Sequence, residues 1–463
     1  MSAEDRRARV LADVRAEAVV PAREGAPQTL AQRMAYHATP GASIGVIDNF
    51  EIAWARGFGV RKMGTADAVT RTTPFQSGSV SKPVFALAVM RLVEEGRLDL
   101  DTDVNRYLTS WRVPANGGWQ PRITLRQLLS HTAGTTVHGF GGYPASGPWP
   151  TPVQVLDGVE PARTPAVIVD LLPGVAFRYS GGGTTIAQQV VVDVLKRPFP
   201  ELMRELLFDP LGMADSTFEQ PLPAAMAARA AAAHAFNAWP LPGGANVFAE
   251  MAAAELWTTA GDLTLLAVAL MRALRGERSA LPLKTDTVKA MLKPQLPDQK
   301  LGEPFVGLGW YCSGEGEGFC FGHSGVNVGF LAELQIFPNC GKAAAVIINA
   351  NGWQLPSEIL RAIGRAYAWP VPPARAASIA MPAIDYAGRY RNDTGVTVEV
   401  KQMADGLAIA LGEQPPVPIV PSAETTFHAT ALNFFVQFEI ADGHAAAMTL
   451  TQHGKSIRLI RDE

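Results

Sequence analysis

Strand-like runs gather at the two ends of the first 370 residues, and helical patterns fill the interval between them. Ala42 to Ile47 and Ile52 to Val60 are short apolar stretches separated by Asp48-Asn49-Phe50, which reads as a hairpin at the edge of an antiparallel sheet. Strands return at Gly307 to Ser313, Phe319 to His323, Gly329 to Phe337 and Ala343 to Asn349, and a helix from Ser357 to Ala368 closes the unit. A single sheet drawn from both ends must enclose what lies between, which gives an α+β domain: an antiparallel sheet flanked by helices. The helical insertion covers Val84 to Glu95, Leu125 to Ser130, Pro165 to Leu172, Thr185 to Leu195, Pro200 to Leu207 and Leu263 to Leu274, and Met1 to Ala35 reads as a charged helix or two.

After Trp369 the pattern changes. Pro370, Pro372 and Pro373 mark a stiff linker, taken as residues 371–380 between a large unit (1–370) and a small one (381–463). The small unit alternates in short strands at Val396 to Met403, Leu407 to Leu411, Phe434 to Ile440, Ala447 to Gln452 and Ser456 to Ile460, with Asp405-Gly406 and Asp442-Gly443 at turns. It reads as a small β-barrel without chemistry of its own. A chain of 463 residues is long enough for two such cores.

Composition narrows the function classes. The chain is 48% apolar and 18% charged with a net charge of -3 and no basic patch, so nucleic acid is not an expected partner. Met1 to Glu24 lacks the apolar core of a signal peptide and no later run is long enough to span a membrane, so the expected compartment is the cytoplasm. Cys312, Cys320 and Cys340 lack metal-type spacing, and no metal or cofactor is expected. Cys312 and Cys320 flank a Gly-Glu-rich hairpin and read as able to approach each other, with reduced thiols expected in the cytosol. His131 and His138 read as isolated. Two long loops, Gly134 to Val153 with Phe140, Tyr143 and Trp149, and Ala235 to Phe248 with Trp239, carry aromatics and read as walls of a cleft.

Three short motifs carry chemistry. Ser79 and Lys82 form the only Ser-x-x-Lys, directly before the apolar run Val84 to Val93. In a helix starting near Ser79, hydroxyl and amine lie one turn apart on one face and can share a proton. Gly78 permits a tight turn before the serine, and Pro83 is tolerated only in a first helical turn. Tyr179, in Phe177-Arg178-Tyr179-Ser180-Gly181-Gly182-Gly183, offers a second proton carrier whose phenol a charged Lys82 would make more acidic, fitting it to act as base toward Ser79 and acid toward the leaving group. Phe321 to Phe330 holds His323, Gly325 and Val326 on a Gly-punctuated edge strand, where the N–H of Val326 could join that of Ser79 in an oxyanion hole.

In this order the three motifs resemble the serine β-lactamase and penicillin-binding-protein superfamily, on the branch of class C β-lactamases and family VIII carboxylesterases. The family's Ser-x-x-Lys, Tyr-x-Asn and Lys-or-His-x-Gly correspond to Ser79 with Lys82, Tyr179 with Gly181, and His323 with Gly325. Gln127-Leu128-Leu129-Ser130-His131-Thr132-Ala133-Gly134, Asp209-Pro210-Leu211-Gly212-Met213, Leu256-Trp257-Thr258-Thr259-Ala260-Gly261-Asp262-Leu263 and Gly307-Leu308-Gly309-Trp310 support the likeness, which runs from about Thr39 to Trp369. The tail is similar to the lipocalin-like appendage of some members. The resemblance implies a β-lactamase/transpeptidase-like fold and an acyl-enzyme on Ser79. Lys82 and Tyr179 would move the proton, Ser79 and Val326 hold the oxyanion, and His323 position a small acyl substrate, with Trp310 and the loop aromatics lining an acyl pocket. Gly181 in place of asparagine and His323 in place of lysine favour a neutral ester. The other readings are acyl transfer to an amine or alcohol, D-amino-acid amide or peptide hydrolysis, weak β-lactamase activity and, from another class, a non-catalytic scaffold.

Overall fold

The computed structural model describes residues 2–16, 25–235, 238–297, 299–370, 384–403, 406–411, 416–421, 425–429, 434–441, 443–452 and 455–462. The linker expected at 371–380, and Asp405 and Asp442 of the expected turns, lie outside the described residues. The chain divides into two compact units, Met1–Val14 with Thr29–Pro370, and Arg15–Gln28 with Val371–Glu463.

The large unit is built on a seven-stranded antiparallel sheet drawn from both ends of the sequence. Its strands are β1 (Gly41–Asp48), β2 (Glu51–Gly59), β3 (Gly302–Val306), β4 (Tyr311–Gly314), β5 (Cys320–Asn327), β6 (Phe330–Phe337) and β7 (Lys342–Ile348), in the order β2-β1-β7-β6-β5-β4-β3. The join between the ends is β1 against β7, with Ile44 opposite Val346. Both strands are covered on both faces, which is why Ala343 to Ile348 reads as a continuous apolar run rather than an alternation. Ala42, Ile44 and Val46 pack with the terminal helices α1 (Ala3–Ala12), α2 (Leu30–Tyr36) and α7 (Leu355–Tyr367). On the opposite face Ile47, Ala345 and Ile347 join the larger core, with Leu263 and Leu266 of α6 (Ala260–Leu274).

The insertion packs on that second face around α3 (Ser81–Glu94), whose first ten residues are all buried. A helix apolar all round can only be central. Helix α4 (Gly181–Leu195) and the short α5 (Met251–Ala254) complete its surroundings. One expected helix is absent: Pro165 to Leu172 runs extended, because Thr136 N–H bonds Ile168 O and Asp170 N–H bonds Gly134 O, tying it to the wall loop instead. The run read as one strand from Gly307 becomes β4 alone, and β3 before it carries no apolar alternation that would have announced it.

Cross-strand register settles the cysteines. Cys312 lies opposite Phe321 and Ser313 opposite Cys320, so Cys312 and Cys320 point to opposite faces of the sheet. The expected approach of the two thiols does not occur, and all three cysteines are free.

In the small unit, eight antiparallel strands, β8 (Gly388–Arg391), β9 (Thr397–Met403), β10 (Gly406–Leu411), β11 (Val417–Pro421), β12 (Thr426–Ala429), β13 (Phe434–Ala441), β14 (His444–Gln452) and β15 (Lys455–Arg461), follow one another around a closed barrel. Its interior is filled by side chains such as Tyr386, Tyr390, Ile409, Phe427, Phe438 and Met448. Tyr386 stacks within 5.0 Å of Phe427 and 4.9 Å of Phe438, so among the described residues the inside is a core rather than a ligand cavity.

The two chain ends of the large unit are also joined by charge. Arg33 of α2 donates to both carboxylate oxygens of Glu358 in α7 at 2.9 and 2.7 Å, with both side chains almost fully buried, and His37 Nε2 lies 3.2 Å from the same carboxylate. Glu358→Ala leaves the Arg33 guanidinium buried without its counter-ion. Thermal or urea unfolding of the variant is expected to show a loss of about 3–5 kcal/mol.

Candidate active site

Ser79 stands where a short strand meets a helix. Phe75 and Gln76 pair with Thr258 and Trp257, Gly78 turns the chain at φ +52°, and a 3₁₀ turn, Gly78–Val80, runs directly into α3. The α-helix thus starts two residues later than expected. Ser81 locks the junction by donating to Gly78 O at 2.5 Å and accepting from Leu256 N–H at 2.9 Å. Ser79 keeps partial exposure while its neighbours are buried, which leaves the hydroxyl within reach of a substrate.

Lys82 is only 4% exposed, and its Nζ lies 3.0 Å from Ser79 Oγ and 2.7 Å from the Ala253 carbonyl. Burial without a carboxylate partner lowers its pKa from the usual lysine range to about 7. A large share of the amine is therefore neutral near pH 7, with a lone pair beside the nucleophile. The Ala253 carbonyl is fixed in turn. Gln188 Oε1 accepts Ala252 N–H at 2.8 Å, and Asn327 Nδ2 bonds Ala254 O at 2.9 Å and Gln76 Oε1 at 3.1 Å. Gln76 also reaches Glu255, whose carboxyl burial pushes well above its ordinary range.

Tyr179 precedes α4. Ser180 caps that helix by accepting Gly183 N–H at 2.9 Å, and Gly181 N–H bonds His138 O at 3.0 Å. Lys82 Nζ sits 4.9 Å from the centre of the Tyr179 ring. Desolvation, opposed only in part by the neighbouring Ser79 side chain, holds the phenol well above its usual pKa. Of the two groups expected to move the proton, the amine is thus the more readily deprotonated and the phenol the less.

Strand β5 closes the site from the sheet side. The two-residue turn Val328-Gly329 pairs Asn327 with Phe330, and the alternation of antiparallel bonding then aims the Val326 N–H away from β6. Beside β5, a Cβ on Gly78 would lie 2.6 Å from Val326 N, and one on Gly325 would lie 1.8 Å from Ser77 O and 3.0 Å from Ser79 N. Strand and turn thus meet backbone to backbone, bringing the Ser79 and Val326 N–H groups together as an oxyanion hole needs. His323 is 7% exposed and donates from Nδ1 to Ser324 O at 2.5 Å, leaving Nε2 as its acceptor. Burial, then the neighbouring Lys82 charge, presses its pKa down to about 3, so the ring is neutral.

The aromatic surroundings differ from expectation. Trp310 is 1% exposed and packs edge-on against Phe321 in the core at 5.1 Å, because Tyr311, the next residue along β4, is the one that turns to the site. Tyr311 lies 5.0 Å from His323 and 6.3 Å from Phe177. Of the loop aromatics, Phe140 meets Gly181, where an added Cβ would be 2.8 Å from its ring. Tyr143 pairs with Val247, so the two wall loops bond each other. Trp149 bonds Pro144 O within its own loop, and Trp239 is 69% exposed. Sequence reasoning missed Tyr311 and Phe177, and it gave His131 and His138 no place beside Tyr179, where their rings lie 4.4 and 4.9 Å from its own. The Ser130-His131-Thr132 segment was the available signal for His131. Among the described residues no group of His, Cys, Asp or Glu could hold a metal ion, and no helix is long and apolar enough to cross a membrane.

Esterase EstB of Burkholderia gladioli is 30% identical over 181 residues, 36% of this chain and 44% of its own length. The curated relatives matched are spanned over less than half of their lengths. The octameric penicillin-binding protein homologue from Pyrococcus abyssi superposes with a TM-score of 0.61 at 21% identity, covering 93% of this chain and 98% of that one. A crystal structure of SurE with D-Leu gives a TM-score of 0.60 at 26% identity, covering 94% and 97%. Residues 26–368, which hold every site residue named above, match the family described as Beta-lactamase. The chain belongs to that family, whose members are serine hydrolases.

Proposed function

We propose that the protein hydrolyses carboxylic esters of small, uncharged molecules through an acyl-enzyme on Ser79. The observation that carries this reading is the buried Lys82 amine, with a pKa of about 7, placed 3.0 Å from Ser79 Oγ. Neutral Lys82 takes the Ser79 proton as Oγ attacks the ester carbonyl, and the N–H groups of Ser79 and Val326 hold the oxyanion. Tyr179 gives its proton to the departing alkoxide and recovers the one from the Lys82 ammonium, so the proton that began on Ser79 ends on Tyr179 and the alcohol leaves neutral. Water repeats the sequence on the acyl-enzyme, with Lys82 again as base, and releases the acid.

Two features favour an ester over an amide or a β-lactam. Gly181 offers no side-chain amide to bind a substrate amide, and the Phe140 ring occupies the space where one would begin. Neutral His323 supplies no charge for a substrate carboxylate. The likeness to a protein named as an esterase supports the same choice. A second reading, hydrolysis of D-amino-acyl amides or acyl transfer to an amine, is favoured by the likeness to SurE, whose structure was determined with D-Leu.

Three measurements test this. Across p-nitrophenyl esters from acetyl to octanoyl, Ser79→Ala is expected to lose at least roughly 10⁴-fold in kcat against the wild type, and retained turnover would remove Ser79 as nucleophile. The pH profile of kcat/KM is expected to rise from acid to a plateau with a midpoint near 7, because protonated Lys82 has no lone pair to offer; a flat profile between pH 5 and 9 would contradict the assignment of Lys82 as base. Gly181→Asn alone forces the Phe140 ring aside and is expected to lower ester turnover, whereas combining it with Phe140→Ala is expected to raise the ratio of amide or β-lactam hydrolysis to ester hydrolysis, read by parallel steady-state assays.

A further inference from the structure

We infer that His131 is a positioning residue that holds the Tyr179 phenol in line for proton transfer to the leaving group, an inference that rests on the esterase reading above. The chain on both sides of Tyr179 hangs from this one residue. Arg178 N–H donates to the His131 carbonyl at 2.8 Å, Ser180 N–H donates to His131 Nδ1 at 3.2 Å, and the two rings face each other at 4.4 Å with a tilt of 38°. His131 is itself fixed. It is 5% exposed and sits at φ +57°, in a turn where Ser130 Oγ donates to Arg126 O at 2.7 Å and Thr132 N–H bonds Gln127 O at 2.8 Å.

Accepting a hydrogen bond at Nδ1 requires the neutral ring with its proton on Nε2. Burial, followed by the charge of Lys82, keeps it in that form. The ring therefore touches the acid rather than the substrate, and its value is geometric. A misplacement of about 1 Å at a reacting group can cost 10²-fold in rate.

This role makes a prediction that a general packing role does not. If His131 acts through Tyr179, its loss matters where the leaving oxygen must be protonated, and matters little where the leaving group departs as a stable anion. His131→Ala is expected to lower kcat on an alkyl acetate by about 10- to 100-fold with KM nearly unchanged, and to lower it far less on p-nitrophenyl acetate. In a Tyr179→Phe background the same substitution should add little. His131→Asn, which tolerates the left-handed backbone and keeps an acceptor for Ser180 N–H, should restore most of the alkyl-ester rate. Thermal unfolding and phosphonate labelling of Ser79 identify the folded variants, and His131→Gly, which tolerates the left-handed backbone and removes the ring, carries the comparison of the two esters if His131→Ala does not fold. Equal losses on both esters, or full additivity with Tyr179→Phe, would overturn the inference. Wild-type protein without Ser79-dependent turnover of either ester would instead overturn the esterase reading.

Discussion

Lys82 occupies the first turn of a helix that is apolar on every side, so its ammonium form has lost nearly all of its water and gains the Ala253 carbonyl, the Ser79 hydroxyl and the face of the Tyr179 ring. The lowering of its pKa to about 7 measures that imbalance, a cost of several kcal/mol to the charged form. An amine that titrates near neutral pH is obtained by leaving it underpaired. The rest of the insertion serves this arrangement. Helix α3 is central because it is uniformly apolar, and α5 is held at both ends by Gln188 and Asn327 so that one carbonyl meets the amine.

The second requirement is the approach of two backbones. The Ser79 turn and strand β5 come so close that Gly78 and Gly325 leave no room for side chains, and the N–H groups of Ser79 and Val326 converge only because of that. Strand β5 belongs to a sheet whose other half, β1 and β2, lies some 270 residues earlier in the sequence. Closing the sheet around the helical insertion is therefore what brings the Ser79 turn and β5 together. The fold and the backbone approach beside Ser79 depend on the same event.

The departures from the family pattern form a consistent set. Gly181 lacks an amide and Phe140 fills the space beside it, while His323, neutral and bonded to Ser324 O, replaces a cation. Phe177 and Tyr311 border the same region with aromatic surface. Each change removes a group that would recognise charge or an amide N–H. The polarity left in the site belongs to the reaction itself: an amine, a phenol, a hydroxyl and two backbone N–H groups.

What was legible in the sequence follows from what is local. Ser79 and Lys82 lie three residues apart, so helical geometry alone puts them on one face, and the apolar run behind them already implies burial of the amine. The glycines at 78, 181 and 325 read as places where backbones or ligands approach, and the β-branched runs at the two ends give the sheet. Boundaries were less secure: β3, β8, β11 and β12 carry no clear alternation, and 165–172 has an apolar pattern that the wall loop claims for bonding. Which of Trp310 and Tyr311 faces the substrate depends on strand parity within β4, and one residue of shift reverses it. Whether Lys82 or Tyr179 is the base depends on how completely each is desolvated and on the absence of a carboxylate beside the amine, neither of which spacing reveals. The place of His131 beside Tyr179 was not legible because its partners, Arg178 and Ser180, come from a segment more than 40 residues away. The sequence by itself determined the pairing of Ser79 with Lys82, because their relation is one turn of helix; the tertiary structure alone decided the desolvation of the amine, the approach of β5 to the Ser79 turn and the walls around them, because these arise between segments that meet only when the sheet closes.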